Sequence, residues 1–452
     1  MARSLSIQIT KFNNLSHIAL LLGAFMSFAD LVFDITMINE YMGYDMNSAI
    51  ATIVTVLLSL FLQCVVVYVT HKKRKRVEIL REMFYVLTFI KPGVDVYRVV
   101  TKQPQPAGAS LTPLDEMIYL RGIELFSECI PGCLIQTTAF VMVKQTNIAG
   151  LSLGTSILTA AFISASMSIE KDANRECRKR FPNFYGFIPL DSLWRSVAVC
   201  LLVFLIAFAQ LSAKVFACAL CSAESITVLA IYLVVDVCIL YAFKIIRNDF
   251  LYWIPTKNMV GSVLLAMLAR LTFKWSLDFT AVLQARHPYE LGGAYFAFTM
   301  ISTPIVCLYF GYRYLEYVEG EDVQDDLNYV FAKEQVYGGI GGLIILQVFS
   351  ISMFLRLIDP QFRSTFTSFK TGGQHVVLTF QTTTNERAKI GVFNNHRSLW
   401  RVIEGDVKKW LNENLVIWIR DRPPWFNSGA RAMILDEFVE NPEMLRRITL
   451  WE

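Results

Sequence analysis

The chain has 452 residues and a net charge of +4; 54% of its residues are hydrophobic, only 18% are charged, and its mean hydropathy is positive. Soluble domains run nearer about 45–50% apolar and about 25% charged, so this chain holds more apolar surface than a soluble core buries, and the excess faces lipid. The small net charge excludes a nucleic-acid binder, and nine cysteines scattered singly through apolar runs argue against a disulfide scaffold.

In chain order, apolar runs long enough for membrane helices fall near 17–42, 48–70, 119–143, 150–169, 191–213, 224–246, 258–282, 291–314 and 337–358. The first is too long and too acidic for a cleavable signal peptide. The second is the cleanest, with no charge from Ala49 to Val69. Lys72, Lys73, Arg74, Lys75 and Arg76 close it, which marks that end as cytoplasmic. Arg175, Arg178, Lys179 and Arg180 follow the fourth run, and Lys244 and Arg247 follow the sixth. All fall on one side if every intervening run crosses, which makes the N-terminus cytoplasmic; plasma membrane and endomembrane are both compatible.

Nine crossings put the residues after 358 outside, yet that segment has mixed charge, no cysteine and no glycosylation sequon. Either one run fails to cross or a short crossing lies outside these runs, so the parity stays open. Leu80–Val100, interrupted at Pro92-Gly93, and the run containing Pro131-Gly132 are the expected re-entrant or half-membrane helices. The expectation is a polytopic, all-α membrane protein of about eight to ten membrane helices. Residues 1–358 form its transmembrane domain, and 359–452 form a small, soluble, cytosolic α+β region. In that region 375–382 reads as a strand after the turn Thr371-Gly372-Gly373. Leu399–Ile419 reads as an amphipathic helix carrying Trp400, Trp410 and Trp418, ended by Pro423-Pro424. Such a stripe serves as a small core or docks a partner protein. A homo-oligomer is equally compatible.

An ionisable side chain in hydrocarbon costs at least about 2.5–3.5 kcal/mol and so faces a partner, a cavity or water. Asp30 and Asp34 share one face of the first run, with Glu40 near its far end. Arg121, Glu124 and Glu128 share a face of the third, just before the helix break at Pro131-Gly132. Arg270, Lys274 and Asp278 follow at steps of four in the seventh, while Arg195 and Asp236 sit alone in the fifth and sixth. The plain reading is that acids and bases pair and staple the bundle shut. The sharper one is a polar track that carries a charged or zwitterionic species.

The stretches Phe28-Ala29-Asp30-Leu31-Val32-Phe33-Asp34 and Arg121-Gly122-Ile123-Glu124-Leu125-Phe126-Ser127-Glu128-Cys129-Ile130-Pro131-Gly132-Cys133-Leu134-Ile135-Gln136 resemble the XK family of phospholipid scramblases. So do the basic turn after the second run, Lys91-Pro92-Gly93, and Leu193-Trp194-Arg195 opening the fifth. The resemblance covers about 17–215; Gly132 stands where the family has Gln, and the residues beyond 250 find no counterpart. It implies passive, ATP-independent exchange of membrane phospholipids between leaflets. On this reading Asp30, Asp34, Glu124 and Glu128 meet headgroup ammonium groups. Arg195 meets phosphate, with Arg175 or Arg270 as further candidates, and Arg270, Lys274 and Asp278 extend the track. A lipid-transfer protein or accessory subunit is a plausible partner for the C-terminal region.

No phosphate-binding Gly-x-x-x-x-Gly-Lys loop, His-Glu-x-x-His or nucleophile elbow occurs, and the five histidines are dispersed. The sequence thus points to no enzyme, no cofactor and no metal. Cys218 and Cys221 read as packing residues rather than a redox pair. Two alternatives stay open: an ion channel or solute transporter using the same charges, and a membrane scaffold acting through its C-terminal region.

Overall fold

The computed structural model describes residues 2–143, 146–173, 187–189, 192–247, 293–320, 333–358, 376–381 and 387–393. Its helices are α1 (Ala2–Tyr41), α2 (Met46–His71), α3 (Arg76–Leu87), α4 (Lys91–Val100), α5 (Pro113–Glu124), α6 (Ile130–Met142) and α7 (Asn147–Ala173), then α8 (Leu193–Glu224), α9 (Ile226–Arg247), α10 (Gly293–Gly320) and α11 (Lys333–Leu357). A π-helical turn, Leu125–Cys129, joins α5 to α6. The strand expected near 375–382 is present as β1 (Val376–Gln381), paired antiparallel with β2 (Arg387–Phe393). The Trp-rich segment 399–419 and the run 258–282 lie outside the described residues.

Among the described residues, six helices are long and apolar enough to cross a membrane: His17–Tyr41, Met46–His71, Pro113–Met142, Asn147–Glu170, Leu193–Glu224 and Gln335–Leu357. The chain is a polytopic helical membrane protein. Its outer surface fits that solvent, since Phe25, Phe28, Val32 and Ile35 of α1 and Ile50, Val54, Leu57 and Phe61 of α2 are all exposed. The central element is α8, about 48 Å long at 1.5 Å per residue. Its alanines Ala207, Ala209, Ala213, Ala217 and Ala219 are buried, and the small side chains let α6, α7, α9, α10 and α11 close on it from several sides.

Local chemistry sets the ends of the early helices. Asp45 caps α2, accepting from Ser48 N at 3.4 Å and from Ser48 Oγ at 2.5 Å. Thr112 caps α5 by accepting from Asp115 N at 3.2 Å, with Pro113 and the acids Asp115 and Glu116 in the first turn. The loop before α5 is pinned to the end of α2, where Ser110 N donates to Thr70 O at 3.0 Å. Gly108 there has φ +82, and a Cβ on it would meet the Lys73 carbonyl at 3.2 Å, so only glycine fits.

Of the two breaks expected to make half-membrane helices, one interrupts the chain and the other does not. Helix α3 folds back along α2, with Val86 and Met83 packed on Leu60, Cys64 and Val67. At 12 residues it is about 18 Å long, too short for a hydrocarbon core of about 30 Å. Its outer stripe, Val77, Leu80, Phe84 and Leu87, is exposed. The break comes at Thr88–Ile90 rather than at Pro92-Gly93: Phe89 takes φ 58, and Ile90 N donates back to Tyr85 O at 3.0 Å. Pro92 is the second residue of α4, where a missing N–H costs nothing. The Pro131 run, by contrast, is continuous. Pro131 lacks the N–H for an ordinary turn, and the π-turn before it absorbs the defect, with Ile130 N bonding to Leu125 O.

The α3–α4 pair is held by a buried charge network that the sequence reading did not foresee. Lys91, 1% exposed, places Nζ 2.7 Å from Asp95, 2.8 Å from Glu116 and 3.0 Å from Glu82. Arg98 forks onto Glu82 at 2.6 and 2.9 Å. His71 Nε2 lies 3.0 Å from Glu116, and its Nδ1 lies 3.2 Å from the Arg74 guanidinium. A guanidinium only donates, so Nδ1 accepts and Nε2 carries the proton. His71, Glu82 and Glu116 are close enough to share a metal ion, but the Lys91 ammonium already stands between the two carboxylates.

Burial works to raise the Glu82 pKa, yet the hydrogen bond from Arg98 and the charges of Lys91 and Arg98 outweigh it and hold the carboxyl down to about 2, from 4.5. A carboxyl depressed on folding contributes stability that is present above about 4.5 and lost as the pH falls toward 2. Replacing Lys91 by Met strands three buried carboxylates against Arg98 and should cost about 3–5 kcal/mol. Thermal unfolding of the purified protein in detergent tests this against Lys72→Met on the exposed basic run. Equal shifts for the two variants would refute the anchoring role.

Candidate functional site

The first helix and the α5–α6 span bring four of the expected acids into one interior seam. Asp30 and Asp34 are each 4% exposed, and Glu124 and Glu128 are each 9% exposed. Glu128 has Glu124, Asp34 and Asp30 as electrostatic neighbours. Helix α1 positions its two acids one turn apart on the face turned to α7 and α6. The π-turn carries Glu128: its extra backbone residue shifts the helical phase and re-aims the carboxyl toward α2.

The acids are held mainly by uncharged donors. Ser156 Oγ of α7 donates to Asp30 at 2.6 Å, and Gln136 Nε2 of α6 donates to Asp34 at 2.8 Å. The Gln136 carbonyl oxygen in turn accepts from Ser152 at 3.2 Å. Ser59 of α2 hydrogen-bonds Glu128 and accepts from Gln63 Nε2 at 3.0 Å. Glu124 is the exception, since Arg121 Nη1 lies 2.9 and 3.2 Å from its two oxygens. The same guanidinium donates to Ser27 of α1, which ties the span to the first helix. Among the described residues, Arg121 is the cation that pairs with any of these four acids. The seam is therefore a polar, acid-rich core inside an apolar bundle.

A small cavity of about 10 Å³, room for about one water, lies beside the seam against Gly23, Arg121, Ser166 and Glu170. It is too small for a lipid headgroup. In this conformation the acids are closed off from lipid.

Arg195, expected to join the acids, sits elsewhere. Arg195, in the first turn of α8, donates Nη2 to the Leu357 carbonyl at 3.0 Å, so it caps the C-terminus of α11. It lies about 24 Å along α8 from Leu211, the residue of that helix in the core cluster with Ile130 and Cys133. Arg195 is thus not part of the acid seam. Arg270, Lys274 and Asp278 lie outside the described residues, as does Arg175. Asp236 is not alone: Lys214 Nζ of α8 reaches it at 3.5 Å and Tyr232 Oη at 3.3 Å. Lys214 was missed because the fifth apolar run appeared to end at 213; in the structure α8 continues for three more turns. Cys218 and Cys221 are both free and buried, and Cys218 packs with Cys129 and Cys133.

The serines and glutamines of the seam were legible only in part. Gln136 lies inside the motif that resembles the XK family. Ser27, Ser59, Ser152 and Ser156 carry no signal in one sequence, because small hydroxyl residues are common throughout membrane helices. Comparison with protein-family models and with curated proteins finds no match for this chain.

The Arg121–Glu124 pair generates a direct test. Arg121→Ala strands a buried carboxylate and should cost about 3–5 kcal/mol, whereas the double variant Arg121→Ala/Glu124→Ala removes both charges and should recover most of it. Thermal unfolding of the two variants decides the matter. A double variant no more stable than the single would mean that Glu124 is not held by Arg121.

Proposed function

We infer that the protein scrambles phospholipids passively between leaflets, along the seam of Asp30, Asp34, Glu124 and Glu128. The observation that carries this reading is four carboxyl groups gathered at mid-bundle, tethered by Ser156, Gln136 and Ser59 with one paired guanidinium. Dragging a zwitterionic headgroup through hydrocarbon is the barrier to flipping. An acid-lined path lowers it for the ammonium end while the acyl tails stay in the bilayer. The resemblance of residues 17–215 to the XK family supports the same reading.

Enclosure of the seam favours one competitor, a path for a small cation or solute. A scramblase opens its track sideways to lipid, whereas a channel keeps it enclosed. All four acids here are nearly covered, so lipid passage requires a second conformation in which α1 or α2 swings away.

Leaflet exchange of fluorescent phospholipids in liposomes holding the purified chain separates the two, with ion flux followed in the same vesicles. Asp30→Asn and Glu128→Gln should each slow exchange by about tenfold, equivalent to about 1.4 kcal/mol, with little change in thermal stability. Ion flux without exchange would replace the scramblase reading with the channel reading. Exchange that ignores both substitutions would dismiss the seam as the path.

A further inference from the structure

The basic run that closes α2 is a cationic surface whose charges find few partners in the protein. Arg74 is engaged, with Nη1 3.2 Å from His71 Nδ1 and Nε 2.8 Å from Glu78. It thereby takes the acid closest in sequence to the run. Lys72, Lys73, Lys75 and Arg76 are all exposed, and among the described residues none of them makes an ion pair. The loop that packs on this turn, 101–112, adds Lys102 and no acid.

A basic turn at a membrane surface is ordinarily a topology signal that needs no bound ligand. Arg81 is what that reading leaves unexplained. It sits in the outer stripe of α3, one turn past Val77 and about 8 Å along the helix from Arg76. Helix α3 packs on Leu60, Cys64 and Val67 of α2, inside that helix's membrane span, so the stripe of Val77, Leu80, Phe84 and Leu87 faces acyl chains. The Arg81 side chain is 52% exposed, and the carboxylate within its reach, Glu82 at 3.9 Å, is already gripped by Arg98 at 2.6 and 2.9 Å. A guanidinium on a lipid-facing stripe is costly unless it reaches up to a phosphate.

Five exposed cations thus stand at the head of an apolar stripe that runs on into the bilayer. Their complement is an amphiphile with several negative charges at one end and acyl chains at the other. Phosphatidylserine brings a single net charge, and a zwitterionic headgroup brings an ammonium that the cations repel. An acidic protein segment would meet the turn but leave Arg81 and the stripe unused. We propose that the α2–α3 turn and the outer face of α3 bind a polyanionic inositol phospholipid, its phosphates on the five cations and an acyl chain along the stripe. The positive-inside rule places it in the cytoplasmic leaflet. The site stands apart from the acid seam and holds whether or not the seam moves lipid.

Phosphatidylinositol bisphosphate, phosphatidylserine and phosphatidylcholine with identical acyl chains are titrated onto the full chain in detergent, with binding followed by native mass spectrometry. The inositol lipid should bind at least about tenfold tighter than phosphatidylserine. Arg81→Leu, which keeps the stripe apolar and leaves the topology signal intact, and Lys72→Gln/Lys73→Gln should each cut that preference at least about threefold without shifting the melting temperature. Lys102→Gln, on the neighbouring loop, should leave it unchanged. Equal binding of the two anionic lipids, or a preference that survives both sets of substitutions, overturns the proposal. Loss with Lys72→Gln/Lys73→Gln but not with Arg81→Leu reduces the site to a diffuse surface charge and overturns it too. Soluble inositol trisphosphate or an acidic peptide competing as well as the lipid overturns the assignment to lipid. Leaflet exchange measured beside it is independent: its absence defeats the scramblase reading alone.

Discussion

A charge inside a bilayer must find its partner within the protein, because hydrocarbon offers none, and this constraint organises the described structure. The chain meets it in two ways. Beside the basic run, carboxylates and cations are paired closely: Lys91 holds three carboxylates at 2.7–3.0 Å, and Arg98 adds a bidentate grip on Glu82. Such a network is a rigid clamp, since moving any member strands another. In the seam, by contrast, acids outnumber their paired cation and lean on serine and glutamine donors. Neutral donors give up less when they let go. One region thus fixes the fold, and the other is held more loosely.

Lys214 marks the difference from a third direction. Its contacts to Tyr232 and Asp236, at 3.3 and 3.5 Å, are longer than any made by Lys91, though both side chains are 1% exposed. Length of contact, rather than depth of burial, separates a clamp from a loosely held cation. The same contrast runs through the backbone. Pro131 costs the α5–α6 span an ordinary hydrogen bond, and the π-turn that absorbs the loss is also what aims Glu128. A defect and a site residue share one turn.

The sequence made the membrane class and most helices legible because hydropathy is a local, additive signal. It also showed that Asp30 and Asp34, and Glu124 and Glu128, share faces, since helical phase is local too. Phase could not say what those faces meet. That Arg195 turns to the Leu357 carbonyl depends on where α11 ends, 162 residues further on. The α3–α4 clamp was invisible for a similar reason: Lys91, Glu82 and Glu116 look like surface charges around a Pro-Gly break until the chain folds back on α2. Pro92 misled because position in the helix decides what proline does, and the helix start was placed wrongly.

Closure of the seam then becomes a question of which helix can leave. Helix α8 cannot, since 56% of its most apolar window is buried against several neighbours, whereas the corresponding shares for α1 and α2 are 33% and 17%. Moving α1 away breaks three buried polar contacts: Ser156 to Asp30, Gln136 to Asp34, and Arg121 to Ser27. At about 1–3 kcal/mol for each buried polar group left unpaired, opening costs about 3–9 kcal/mol. By itself that keeps the open form about two to six decades below the closed one, at about 1.4 kcal/mol per decade. An ammonium group arriving at Asp34 and Asp30 replaces the lost donors with N–H groups of its own and adds a full positive charge. On the proposed scramblase reading, the headgroup would thereby offset the cost of opening, and an empty seam would stay shut.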